Sequence, residues 1–312
     1  MTQVLALGNY SDTDQAALKR DLDPVFVKTA SDIAALPEKD RSRITALAFM
    51  GHHPFSGGEM HLLPNLGLIA NYGVGYDAID VSAADARGIK VTNTPDVLND
   101  DVADLAVALL IAQGRQMIPA SEWVSSGNWA AKGNFALARK ISGGRAGIVG
   151  LGRIGRAIAD RLTGFDMEIH YSSRREKDTP GWTYHADPVS LAEAVDYLIV
   201  ALVGGPETEN HVSKDVIAAL GPRGIIVNIS RGSTIDEAAL LDALENGAIA
   251  GAGLDVFLNE PAIDPRFLKL DNVVLQPHQG SATVETRTAM GQLQRDNVSA
   301  FLNGKALLTP VN

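Results

Sequence analysis

The stretch "GIVGLGRIGRAIADRL", residues 147–162, decides how this chain is read. It opens on an apolar run of strand character and ends with apolar Ile154, Ala157, Ile158 and Leu162 at helical spacing. Between the two, Gly150, Gly152 and Gly155 stand in G-x-G-x-x-G spacing. Glycines so placed permit a tight turn, close approach of backbone to a pyrophosphate, and close packing of helix on strand, while the helix N-terminus faces the phosphates. A bare βα turn would also use glycine, but strand, turn and helix in immediate succession point to dinucleotide binding. The cofactor-binding set at this turn is Gly150, Gly152, Arg153, Ile154 and Gly155.

The next apolar run, "MEIHY" (167–171), ends where this fingerprint expects an Asp or Glu for the ribose 2'-hydroxyl. Ser172, Ser173, Arg174 and Arg175 stand there instead. An acid would repel a 2'-phosphate, whereas guanidinium groups and small hydroxyl donors can hold one. The loop therefore favours NADP(H) over NAD, the competing reading being an ordinary solvated loop.

Working outward, short apolar runs alternate with amphipathic segments in two series. "VLAL" from Val4, "ITALAFM" from Ile44, "LGLIANYG" from Leu66 and "IKVTN" from Ile89 form the first. "RAGIVG" from Arg145, "MEIHY", "YLIVALV", "GIIVNIS", "AGAGLDVF" and "NVVLQP" form the second. Such runs read as buried parallel strands, so the expected class is α/β with two units. Between the series, "NDDVADLAVALLIAQGRQM" predicts an interdomain helix, capped by Asn99 or Asp100, with Val102, Leu105, Ala106 and Leu109 on its apolar face. Residues 119–144 carry Trp123 and Trp129 among Ser, Gly and Ala and read as an arm that packs against something, a second subunit being one candidate. A last helix is expected from about Thr283 to Asn303, stopped by Gly304, returning to the first unit.

Composition narrows the chemistry. The 312 residues carry 37 acids against 27 Lys and Arg, a net charge of −10, which disfavours nucleic acid and anionic membranes as partners. The absence of cysteine excludes disulfides, cysteine-ligated metal and thiol catalysis. The N-terminus has no basic region before its apolar run, and the longest central apolar run, "LAVALLIA" (105–112), is well short of the roughly 20 residues of a membrane span. A cytoplasmic protein is expected.

Three polar residues follow apolar strands of the second series: Arg231 after "GIIVNIS", Glu260 after "GLDVFLN" and His278 after "NVVLQP". Each alone reads more readily as an ordinary residue, the His as a hydrogen-bonded surface or core side chain and the Arg and Glu as solvated ones. Together, at the strand ends where open α/β sheets bind ligands, they suit reduction of a 2-oxo acid. Arg231 would clamp the carboxylate and carbonyl, His278 would donate the proton, and Glu260 would favour and orient the imidazolium.

With these residues in place the chain resembles the D-isomer-specific 2-hydroxyacid dehydrogenases, within them the glyoxylate/hydroxypyruvate reductases. The resemblance rests on "NYGVGYDAID", "TPDVLNDDVADLAVALLI", "GIVGLGRIGRAIA", "NISRGSTIDEAALLDAL", "AGLDVF", "NEP" and "PHQGSAT", in the family's order over nearly the whole chain. It implies two Rossmann-like or flavodoxin-like domains. Residues 1–99 and 286–312 would form the substrate domain, residues 100–285 an inserted NADP domain, and the active site the cleft between them. It also implies that the N–H groups of Val74 and Gly75 hold the substrate carboxylate, that Asp255 contacts the nicotinamide side, and that the 119–144 arm makes a homodimer. Gln279 departs from the family, which usually has an apolar residue there. "GHHPFSGG" from Gly51 meets the substrate side chain in that scheme, with His52 and His53 and Trp129 as wall candidates; adjacent histidines with no ligand cluster give no reason to expect a metal. The alternatives are a phosphoglycerate or hydroxyphenylpyruvate type dehydrogenase of the same family, or a dinucleotide-sensing binding protein.

Overall fold

The computed structural model describes residues 3–312. The chain divides into two compact units, one formed by the residues up to Leu98 with Thr283–Asn312, the other by Asn99–Ala282.

The first unit holds a five-stranded parallel sheet of β1 (Val4–Leu7), β2 (Val25–Val27), β3 (Ala46–Phe49), β4 (Leu68–Asn71) and β5 (Lys90–Thr92). Their order, β2-β1-β3-β4-β5, is that of the flavodoxin-like sheet. β1, β3 and β4 are buried throughout, which is why they read as unbroken apolar runs without alternation. The edge strand β2, three residues long behind Pro24, adds to the strands the sequence shows. The last helix, Val284–Leu302, is capped by the Thr283 hydroxyl and followed by Gly304 at φ 64°, as the sequence predicts. It belongs to this unit: buried Gln294 donates to the carbonyls of Ala70 (2.8 Å) and Phe49 (3.2 Å).

The second unit is a seven-stranded parallel sheet of β6 (Arg145–Val149), β7 (Glu168–Ser172), β8 (Thr183–His185), β9 (Tyr197–Val200), β10 (Ile225–Asn228), β11 (Gly251–Leu254) and β12 (Val273–Leu275). The order is β12-β11-β10-β9-β6-β7-β8. This is the dinucleotide-binding order extended by one strand, and it reverses between β6 and β9, where such sheets take their ligand. Short, polar β8, like β2, leaves no period in the sequence.

The helix between the two series and the segment after it add detail to the expectation. The helix Asn99–Gly114 begins at Asn99, with Asp100 in its first turn, and Asp100 pairs with Arg161 at 2.9 Å. Leu105 is only half-buried, and Ala103, Val107 and Leu110 join Val102, Ala106 and Leu109 on the buried face. The 119–144 segment, irregular to the eye, contains most of the helix Met117–Ser125 and the helix Asn128–Lys132. Among the described residues no helix is long and apolar enough to cross a membrane.

Candidate active site

The glycine turn lies at the carboxyl end of β6, and each glycine has a distinct geometric reason. Gly150 sits at φ 97°, and a Cβ there would stand 2.7 Å from the Ala201 carbonyl oxygen, where the turn crosses the end of β9. A Cβ on Gly155 would stand 2.2 Å from the Gly150 carbonyl oxygen, so the helix Arg153–Thr163 can approach its strand only without one. At Gly152 a Cβ would meet nothing within 4 Å, and this residue caps the helix with no side-chain hydrogen bond. An open, uncapped helix N-terminus beside bare backbone fits a bound pyrophosphate. Arg153 is exposed and Ile154 half-buried in the first helical turn.

Beyond β7 the four polar residues separate. Ser172 closes the strand at 4% exposure, and its carbonyl accepts the Gly150 N–H at 2.9 Å. The Ser173 hydroxyl turns inward to the Arg175 carbonyl at 2.5 Å. Arg174 and Arg175 are exposed, and among the described residues neither side chain has an ion pair or hydrogen bond. The two guanidinium groups are left available to an anion.

At the other side of the same edge, β10, β11 and β12 lead into the three residues singled out by their strand-end positions. Glu260 Oε2 lies 2.8 Å from His278 Nδ1. Its Oε1 accepts the Phe257 N–H, also at 2.8 Å, so the carboxylate is aimed by the backbone before it meets the ring. His278 occupies the left-handed region at φ 55°, a costly conformation outside glycine. It is held there by Asp255, whose carbonyl accepts the His278 N–H at 2.9 Å and whose carboxylate accepts the N–H groups of Gln279 (2.6 Å) and Gly280 (2.8 Å). The resemblance puts Asp255 beside the nicotinamide; at 1% exposure, with both oxygens engaged, its visible part is to fix the loop that carries His278. Burial raises its pKa, opposed by those two N–H groups and by the nearby imidazole. Gln279 is exposed, and its amide donates to the Pro277 carbonyl at 3.3 Å.

Arg231 follows β10 in a turn built by Asn228, which donates to the Arg231 carbonyl at 2.9 Å and accepts the Ser230 N–H at 3.0 Å. Glu237 joins this region without a signal in the sequence. From the first turn of the helix Glu237–Glu245 it accepts the Leu258 N–H at 2.8 Å, next to the amide that Glu260 holds. Burial pushes its carboxyl pKa up, with Asp264 and Glu260 adding to the shift and the Leu258 N–H opposing it.

In the first unit, the loop after β4 turns its carbonyls inward. Asn71 donates to those of Gly73 (3.0 Å) and Gly75 (2.8 Å), and Asn93 to that of Val74 (2.9 Å). Among the described residues the N–H groups of Val74 and Gly75 have no acceptor, leaving two adjacent donors for an anion. Asn71, the organiser of this loop, stands inside the quoted "NYGVGYDAID" but carries no signal of its own. His52 and His53 are exposed in the loop before Phe55, Trp129 is exposed on its short helix, and among the described residues no cluster of three or more His, Cys, Asp or Glu is arranged to hold a metal.

Residues 107–280 match the NAD binding domain of the D-isomer specific 2-hydroxyacid dehydrogenases. The chain is 47% identical to a hydroxyphenylpyruvate reductase of Plectranthus scutellarioides over 80% of its own length and 79% of the relative's. It is 43% identical to a glyoxylate/hydroxypyruvate reductase of Arabidopsis thaliana over 91% and 90% of the two chains. Among solved structures, the NADPH-dependent glyoxylate/hydroxypyruvate reductase of Sinorhizobium meliloti, crystallised with NADP and malonate, is 44% identical and superimposes with a TM-score of 0.94 over 99% of this chain and 96% of that one. The chain belongs to the D-isomer specific 2-hydroxyacid dehydrogenase family.

Proposed function

We propose that the protein reduces small 2-oxo acids with NADPH, converting glyoxylate to glycolate and hydroxypyruvate to D-glycerate. The observation that carries this reading is the Glu260–His278 pair at 2.8 Å, set on the same sheet edge as the glycine turn. The Arabidopsis and Sinorhizobium relatives lend the substrate class and the second also the cofactor.

In this reading the unit containing β6–β12, residues 100–285, is the NADP domain, and residues 1–99 with 286–312 are the substrate domain. Gly150, Gly152, Arg153, Ile154 and Gly155 take the pyrophosphate; Arg174 and Arg175, with the smaller help of Ser172 and Ser173, take the 2'-phosphate; Asp255 keeps to the nicotinamide side. When bound, the reduced dinucleotide supplies the hydride that reaches C2. Arg231 polarises the carbonyl and orients the carboxylate; in the substrate domain the Val74 and Gly75 amides are donors for a carboxylate. Glu260 occupies Nδ1 of His278, so Nε2 is the nitrogen that delivers a proton to the oxygen as charge develops on it.

Exposed Met117, Ile118, Val124, Trp129 and Leu137 on and beside the arm support a homodimer, because that much apolar surface on one segment seeks a partner. Dependence on a soluble NADPH pool supports a cytoplasmic location. A second reading, an aromatic 2-oxo acid as substrate, is favoured by the Plectranthus relative. Loss of reduced-nicotinamide absorbance with glyoxylate, hydroxypyruvate, pyruvate and hydroxyphenylpyruvate, each with NADPH and NADH, tests the proposal. The highest kcat/KM is expected for hydroxypyruvate or glyoxylate with NADPH; a preference for hydroxyphenylpyruvate selects the second reading, and no turnover of any 2-oxo acid rejects both.

A further inference from the structure

We infer that Tyr171 and Tyr184 are positioning residues for the 2'-phosphate, fastening the loop that presents Arg174 and Arg175; this rests on the NADPH reading above. The two tyrosines face each other in register on β7 and β8, ring centroids 5.5 Å apart, and both hydroxyls reach the loop that leaves β7. Tyr171 is buried, and its hydroxyl accepts the Lys177 N–H at 2.9 Å while donating to the Lys177 carbonyl at 3.1 Å. A single phenol thus satisfies both backbone groups of one residue, as a neighbouring strand would. Tyr184 donates to the Ser173 carbonyl at 3.3 Å, at the point where the loop departs.

Two further ties complete the loop. The Ser173 hydroxyl reaches the Arg175 carbonyl, and Arg156, from the helix that starts at the glycine turn, donates to the Asp178 carbonyl while lying 5.4 Å over the Trp182 ring. The backbone under the two arginines is therefore held at Ser173, Arg175, Lys177 and Asp178, while their side chains extend free. An exposed loop bearing long cations ordinarily loses affinity because binding must order it; here the ordering is accomplished on folding, so more of the charge-assisted attraction remains as affinity. None of these ties touches the glycine turn's N–H groups, so they bear on the 2'-phosphate and not on the pyrophosphate.

Dissociation constants of NADPH and NADH, followed by nicotinamide fluorescence without substrate, test this in Tyr171→Phe and Tyr184→Phe. Both variants keep the ring and lose only the hydroxyl, and circular dichroism checks that each folds; Tyr184→Phe carries the test alone if the buried Tyr171→Phe does not. NADPH affinity is expected to fall about 2- to 12-fold, most in Tyr171→Phe, with a smaller change for NADH, so that the ratio between cofactors drops. A parent protein that binds both cofactors equally overturns the NADPH reading and this inference together. A parent that discriminates, with variants that keep its ratio or lose both cofactors alike, overturns the inference and leaves the NADPH reading standing.

Discussion

The two sides of the seven-stranded sheet's carboxyl edge treat charge in opposite ways. Beside β7, Arg174 and Arg175 are exposed and, among the described residues, unpaired, and the contacts around them serve to hold their backbone. Beside β11 and β12 the charged groups are already tied: Glu260 to His278 and to the Phe257 N–H, Asp255 to the Gln279 and Gly280 N–H groups. A site that binds a permanent anion can leave its cations waiting in water, where the cost of keeping them charged is low. A site that moves a proton must keep its donor oriented when empty, because an imidazole free to rotate would seldom present the right nitrogen. In the proposed reading, binding is stored in unpaired charge and chemistry in paired charge.

That contrast breaks most visibly at His278. His278→Ala is expected to lower kcat roughly 100-fold or more, the usual worth of a positioned general acid, while NADPH still binds, since no tie of the 173–178 loop passes through it. Stopped-flow kinetics beside fluorescence titration separates the two; loss of NADPH binding in step with turnover would mean that the two sides are not independent. On the other side, Arg174→Ala or Arg175→Ala should reduce kcat/KM with NADPH by about 10- to 150-fold each, the value of a charge-assisted hydrogen bond, with far less effect on NADH. Because these cations are exposed, the preference for NADPH should also shrink as salt rises. A selectivity indifferent to both arginines would assign the 2'-phosphate elsewhere.

Glu260→Gln sharpens the contrast at smaller amplitude. The amide can still hydrogen bond to Nδ1, so turnover should fall by less than in His278→Ala, but the negative charge that favours the imidazolium is gone. The pH range of reduction should therefore move toward acid. An unmoved profile would leave Glu260 as an orienting group only.

How much of the molecule is legible in its sequence follows the same division. The glycine turn can be read because backbone geometry writes itself into sequence: Gly150 and Gly155 admit no Cβ, and the spacing records it. Arg231, Glu260 and His278 can be found because strand ends are easily counted, and the central strands because burial on both faces makes them continuously apolar. What stays hidden depends on side chains that bond to distant backbone. Glu237 looks like an ordinary acid in a first helical turn, Asn71 like the last residue of a strand, and Tyr171 and Tyr184 like core aromatics. Asp255 is placed beside the cofactor by resemblance, yet its grip on the His278 loop emerges only when β11 and β12 lie side by side. The edge strands β2 and β8 are too short to show a period.

The smallest effect belongs to a pair of histidines on β7 and β8. His170 on β7 and His185 on β8 lie with Nδ1 and Nε2 3.0 Å apart and their rings 5.3 Å apart. Burial, then the neighbouring His185, lowers the His170 pKa, with Glu168 opposing and Arg145 adding to the shift. An imidazole with a lowered native value binds fewer protons than in the unfolded chain over the interval below its ordinary value of about 6.5. Stability must then rise with pH across that interval: nothing is lost above about 6.5, and the loss grows as pH falls from there toward the native value. His170→Gln keeps a hydrogen-bonding side chain but cannot titrate, so its melting temperature should fall less than the parent's between neutral and mildly acidic pH. For a partly exposed ring the difference should not exceed about 2 °C.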